Sequence, residues 1–123
     1  RIVRPGGLFF FDQSTPANSI NNLSYFEDEF VGDDVSYTRT SRYDEQTHVH
    51  VTSFSIERGD SIMIEHHEQH AFTRMELLEA TRAAGFDVVA MLVAFGAEPA
   101  DDTTERIQWI LRRPLSTDNR TEA

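Results

Sequence analysis

The chain has 123 residues, a formal net charge of −10, and 39% hydrophobic against 26% charged residues, which is the size and balance of one globular domain rather than a disordered segment. The negative charge argues against general nucleic-acid binding, because a phosphate backbone would be repelled. The absence of cysteine removes disulfides and thiolate metal ligands and fits a cytoplasmic setting, and no apolar run approaches the roughly 20 residues that cross a bilayer.

Arg4-Pro5-Gly6-Gly7 is a turn signal: proline presets one position and glycine accepts positive φ at the next. Leu8-Phe9-Phe10-Phe11 follows without alternation and ends in Asp12, the pattern of an interior strand of a parallel sheet. Residues 13–23 are polar, contain Pro16 and several Asn and Ser, and are expected as a loop. Tyr25 to Phe30 reads equally as a helical turn or a strand, and Gly32-Asp33-Asp34 breaks it. Three segments then predict an antiparallel meander: Val35 to Tyr43, Thr47 to Glu57 and Ser61 to His70, with turns at Asp44-Glu45 and Arg58-Gly59.

Thr73-Arg74-Met75-Glu76 has the form of a capping box, with Phe72 and Leu77 spaced as a hydrophobic staple. The helix it opens carries Leu77, Leu78, Thr81 and Ala84 on one face and is expected to stop at Gly85 in the left-handed conformation. Phe86 to Phe95 predicts a strand buried on both faces. After an acidic loop at Ala97 to Thr104, Glu105 to Arg113 alternates, with Ile107, Trp109 and Leu111 on one side. It is expected to pair antiparallel with the strand before it and to end at Pro114. The remainder, 115–123, reads as a flexible tail.

The order of these pieces resembles the C-terminal part of a class I, Rossmann-like methyltransferase dependent on S-adenosylmethionine (SAM). Arg4 to Asp12 is similar to that family's turn and fifth strand. Glu68 to Leu78 resembles the approach to its last helix, and Ala83 to Val89 the exit into its sixth strand. The meander resembles the small β insertion of small-molecule and aminosugar N-methyltransferases. The resemblance implies an α/β fold: 1–23 and 71–114 would form the C-terminal portion of a methyltransferase sheet, with 24–70 as the inserted antiparallel subdomain. It also implies an intact enzyme that moves a methyl group from SAM to a nitrogen or oxygen of a small molecule. The family's glycine-rich loop has no counterpart, because the six glycines never form G-x-G. SAM is therefore expected to be held mainly by a missing N-terminal part, and this piece alone is expected to be inactive. Since the chain begins with Arg1, a cleavage or a longer parent is expected.

Asp12 ends its strand at the carboxyl edge, where open α/β sheets bind ligands, so Asp12, Gln13, Ser14 and Thr15 are pocket candidates and Tyr25 joins them. The alternative is that Asp12 caps the following turn and the aromatics, Phe30 included, are core. The acidic run Glu27, Asp28, Glu29, Asp33 and Asp34 reads as a solvated face. Five histidines cluster in the meander, with His48 and His50 expected on one face of the middle strand and His66 and His70 sharing a face of the next. His48, His50 and His67 are candidates for a general base, against ordinary strand residues as the plainer reading. No spacing defines a tetrahedral metal site.

The two strands rich in Phe, Leu and Val need neighbours the chain does not contain. Exposed apolar side chains are therefore expected along Phe9 to Phe11 and Val88 to Val93, to be covered by the missing N-terminal half or by a second copy in a homodimer. The rival expectation is a free-standing α+β binding module, metal-binding through His48, His50 and His67.

Overall fold

The computed structural model describes residues 2–115, and of Tyr25 and Phe26 only the backbone. The expected tail from Ser116 onward lies outside the described residues. Two compact units emerge: the residues up to Thr15 with those from Phe72 on, and Pro16–Ala71.

The first unit is built on a three-stranded sheet in the order β1-β7-β6, with β1 at Leu8–Ser14, β6 at Asp87–Val93 and β7 at Arg106–Arg112. β7 is central and antiparallel to both neighbours; it pairs Phe10 with Ile110 on one side and Met91 with Trp109 on the other. β1 is thus not an interior strand of a parallel sheet. Its sequence neighbours in the meander do not pair with it, and it has one strand partner among the described residues.

The helix α2, Arg74–Ala83, starts and stops where local chemistry dictates. Thr73 is the N-cap, and its hydroxyl oxygen accepts from the Glu76 amide at 3.1 Å. At the other end Gly85 adopts φ +89, and the Phe86 amide donates to Thr81 O at 3.0 Å while the Gly85 amide donates to Arg82 O at 3.0 Å. This is the Schellman pattern, which answers the last carbonyls of the helix. The Arg4–Gly7 turn closes with a 2.9 Å bond from the Gly7 amide to Arg4 O, with Gly6 at φ +77 in the position where a type II turn requires it.

Leu78 of α2 joins Ile107, Trp109 and Leu111 of β7 in the core, with Phe11, Leu77, Phe86, Val88 and Met91 packed around it. Ile107 and Trp109 are fully buried, as their alternation with Arg106, Gln108 and Arg112 predicts. Each such side chain stabilises the fold by about 1.5–3 kcal/mol. The opposite face of the sheet has no helix over it among the described residues. Leu8 and Phe10 on that face are 46% and 53% exposed and Val89 is 52% exposed; Phe9, on the helix side, is 41% exposed, whereas Phe11, Val88 and Met91 to Val93 are partly covered. Both expected strands therefore fall short of burial on both faces, and the sheet is covered on one side only.

The second unit is an antiparallel four-stranded sheet in the order β2-β3-β4-β5: Asp28–Val31, Val35–Asp44, Val49–Arg58 and Ser61–His70. The chain expected to be a loop contains a short helix, α1, at Pro16–Asn21, followed by a 3₁₀ turn at Leu23–Phe26. Proline at the first helical position costs nothing, because that amide has no helical acceptor anyway. The molecule is mostly β, with both sheets antiparallel, rather than a parallel α/β sheet. No helix among the described residues is long and apolar enough to cross a membrane.

Removing the cap should weaken the first unit: Thr73→Ala is expected to lower unfolding free energy by about 0.5–2 kcal/mol, read as a lower midpoint in a urea titration. An unchanged midpoint would show that α2 does not depend on the Thr73 hydroxyl.

Candidate functional site

The strand β1 alternates, so its terminal residues divide between two faces. Gln13 and Thr15 point into the unit and are buried. The Gln13 Oε1 accepts from Trp109 Nε1 at 2.9 Å, and its Nε2 donates to Phe72 O. The Thr15 hydroxyl donates to Thr104 O at 2.6 Å, and the Thr15 amide to Glu105 O at 3.1 Å. Both side chains therefore fasten parts of the unit to one another. An unpaired indole N–H in the core would cost about 1–3 kcal/mol, which is the reason a glutamine is tolerated there.

Asp12 and Ser14 lie on the outward face with Leu8 and Phe10 and are exposed. The Asp12 carboxylate receives both Nε and Nη2 of Arg106 at 3.2 Å across the β1–β7 pair. Arg106 was not singled out by sequence, although the antiparallel alternation of its strand puts it on this face. The side chain of Tyr25 lies outside the described residues. Phe30 is exposed and stacked on Tyr37 at a centroid distance of 5.7 Å, so it is not core. The acidic residues from Glu27 to Asp34 are exposed, and Asp28 accepts two bonds from Arg39, at 2.9 and 2.8 Å.

An apolar cavity of about 310 Å³ opens on the helix-covered face of the first unit, lined by Phe9, Phe11 and Leu111 of the sheet, by Ala80 of α2, and by Ala84 and Phe86 just after the helix. It offers hydrophobic contact and almost no hydrogen-bonding capacity. Gln13 and Thr15 bond within the unit, Asp12 is paired with Arg106, and Gly6 and Gly85 serve a turn and a helix end.

The three candidate histidines are not brought together. His50 is only 6% exposed. Its Nδ1 lies 3.0 Å from the Ser19 hydroxyl on α1, its Nε2 3.1 Å from the Ser41 hydroxyl on β3, and Ser41 is 3.1 Å from the Thr52 hydroxyl. A neutral imidazole donates through one nitrogen and accepts through the other, so it satisfies both serines and ties α1 to the sheet. His67 is exposed, 3.3 Å from Glu65 through Nε2, with its ring edge-on to Phe54. His66 bonds the Ser53 hydroxyl at 2.7 Å. His48 has left-handed backbone, φ +59, which breaks the alternation that would set it beside His50; its ring lies against that of His70 instead.

No protein-family model matches this sequence, and no curated protein sequence matches it. Solved structures do. A SAM-dependent methyltransferase from Clostridium acetobutylicum aligns over 90% of this chain at 17% identity with a TM-score of 0.65. The CcbJ methyltransferase from Streptomyces caelestis aligns over 90% at 16% identity with a TM-score of 0.61. The chain shares its fold with part of these two methyltransferases. The chain spans 46% and 45% of the lengths of these two proteins, so it accounts for less than half of either.

Burial holds the His50 imidazole below its ordinary pKa. The folded state therefore favours the neutral ring, while the unfolded chain takes up a proton near pH 6.5. The resulting stability is present above that pH and is lost as pH falls through the window below it. The urea midpoint of the wild-type chain should drop between about pH 7.5 and 5.5 more steeply than that of His50→Gln, which has no titrating group at position 50. Parallel pH profiles in the two proteins would contradict this assignment.

Proposed function

We propose that this chain is the C-terminal half of a SAM-dependent methyltransferase that transfers a methyl group to a nitrogen or oxygen of a small-molecule acceptor. The observation that carries the reading is the incomplete sheet. β1-β7-β6 has α2 on one face, exposed apolar side chains on the other, and no strand beyond β1 among the described residues. The two methyltransferases of similar fold are about twice as long.

In this reading SAM supplies the methyl group and is bound mainly by the complementary half. The open edge of β1 receives a strand of that half, and Leu8 and Phe10 are covered by its helices. The apolar cavity beside Phe9 and Phe86 takes an apolar side chain from the same source. What this chain contributes to the reaction is position: Asp12, steadied by Arg106, and Ser14 stand at the carboxyl end of β1, where ligands of open α/β sheets bind. Such alignment is the main source of rate in a transfer whose reactive group belongs to the cofactor.

Two measurements test the reading together. The coding sequence preceding Arg1 is expected to encode a glycine-rich strand-turn-helix segment. Calorimetry is expected to show SAM binding by the joined protein and none by the 123-residue chain. A start codon at Arg1, or one tight SAM site on this chain alone, would overturn it.

A further inference from the structure

We propose that His48 and His70 form a two-imidazole site for a late first-row divalent cation, Zn²⁺ above all. The inference does not depend on the methyltransferase reading, and it involves a different pair from the one the histidine pattern suggests.

Both backbones are fixed before any ion arrives. The His48 amide donates to Asp44 O at 2.8 Å, and its carbonyl accepts from the Ala71 amide at 2.8 Å. His70 is the last residue of β5 and is held in register opposite Val49. The left-handed turn at His48 is costly for a residue with a side chain, and here it carries the ring across to the neighbouring strand. The two rings meet with centroids 6.1 Å apart and planes at 60°.

Ring nitrogens of the pair lie within 4.8 Å of one another. A tetrahedral ion with Zn–N bonds of about 2.0–2.1 Å needs its two donors about 3.3 Å apart. Rotation of two side-chain torsions closes that difference without moving the backbone. Neutral imidazole is a preferred ligand of zinc and copper, and the absence of cysteine removes competing thiolate donors. The remaining coordination positions belong to water or to a small-molecule donor.

The probe is ZnCl₂ titrated calorimetrically into the full chain at neutral pH, with one ion per chain expected. Loss of even an outer partner of a metal ligand costs about 10–100-fold in affinity, so His70→Ala should weaken binding by at least about tenfold. His48→Gly should do the same while keeping the fold, because glycine adopts the positive φ at that turn without strain. The double variant His66→Ala, His67→Ala should bind as the wild type does. Absence of Zn²⁺ binding, or binding that survives His70→Ala and His48→Gly, would overturn the proposal. So would binding lost in the His66, His67 double variant.

Discussion

The fold of the first unit depends on β7 being flanked on both edges. Ile107, Trp109 and Leu111 are the most deeply buried side chains described, and they are so because β1 and β6 close over both edges of their strand while Leu78 covers their face. Trp109 needs more than apolar surroundings, since its indole N–H must be answered, and Gln13 of β1 answers it while donating to Phe72 O just ahead of the helix cap. One side chain thus links strand, central tryptophan and the start of α2. The same arrangement leaves the edge of β1 and the outward face of the sheet without cover among the described residues. Phe10 on this face is 53% exposed.

The second unit solves a different problem. Its β4 carries His50 into a buried position, where a histidine is acceptable only if both nitrogens are used. Hydroxyls from α1 and β3 supply the partners, so a polar chain from Ser19 to Thr52 does what apolar packing does in the first unit. Phe30, Tyr37, Phe54 and His67, one from each strand, form successive ring contacts across the sheet at 5.5 to 6.1 Å. By contrast, all of β5 is exposed, so its histidines face solvent while His50 does not.

Local signals were readable without coordinates. The alternation around Trp109, the Thr73 cap, the Gly85 stop and the three long strands of the meander all rest on contacts between residues close in sequence, or on a period that a strand imposes. The failures share a cause. Helix α1 has no apolar stripe, and its buried residue is a serine whose partner, His50, is 31 residues away. The internal bond of Gln13 is equally hidden, because its partner Trp109 is 96 residues distant. Leu8 to Phe11 mimicked an interior strand because its composition suits a sheet covered on both sides, while the chain covers only one. His48 left its expected face through a backbone conformation that nothing in its side chain announces.

The central claim is that the β1 edge is open in this chain. Amide hydrogen exchange on the monomeric protein tests it most directly. Amides of β7, with a strand on each side, should all exchange slowly. Along Leu8–Ser14, amides that face β7 should be protected and the alternate ones should exchange fast, as expected for a strand bonded on one edge. Uniform slow exchange along β1 in the monomer would show that the edge is already satisfied, and the account of an unfinished methyltransferase sheet would fail.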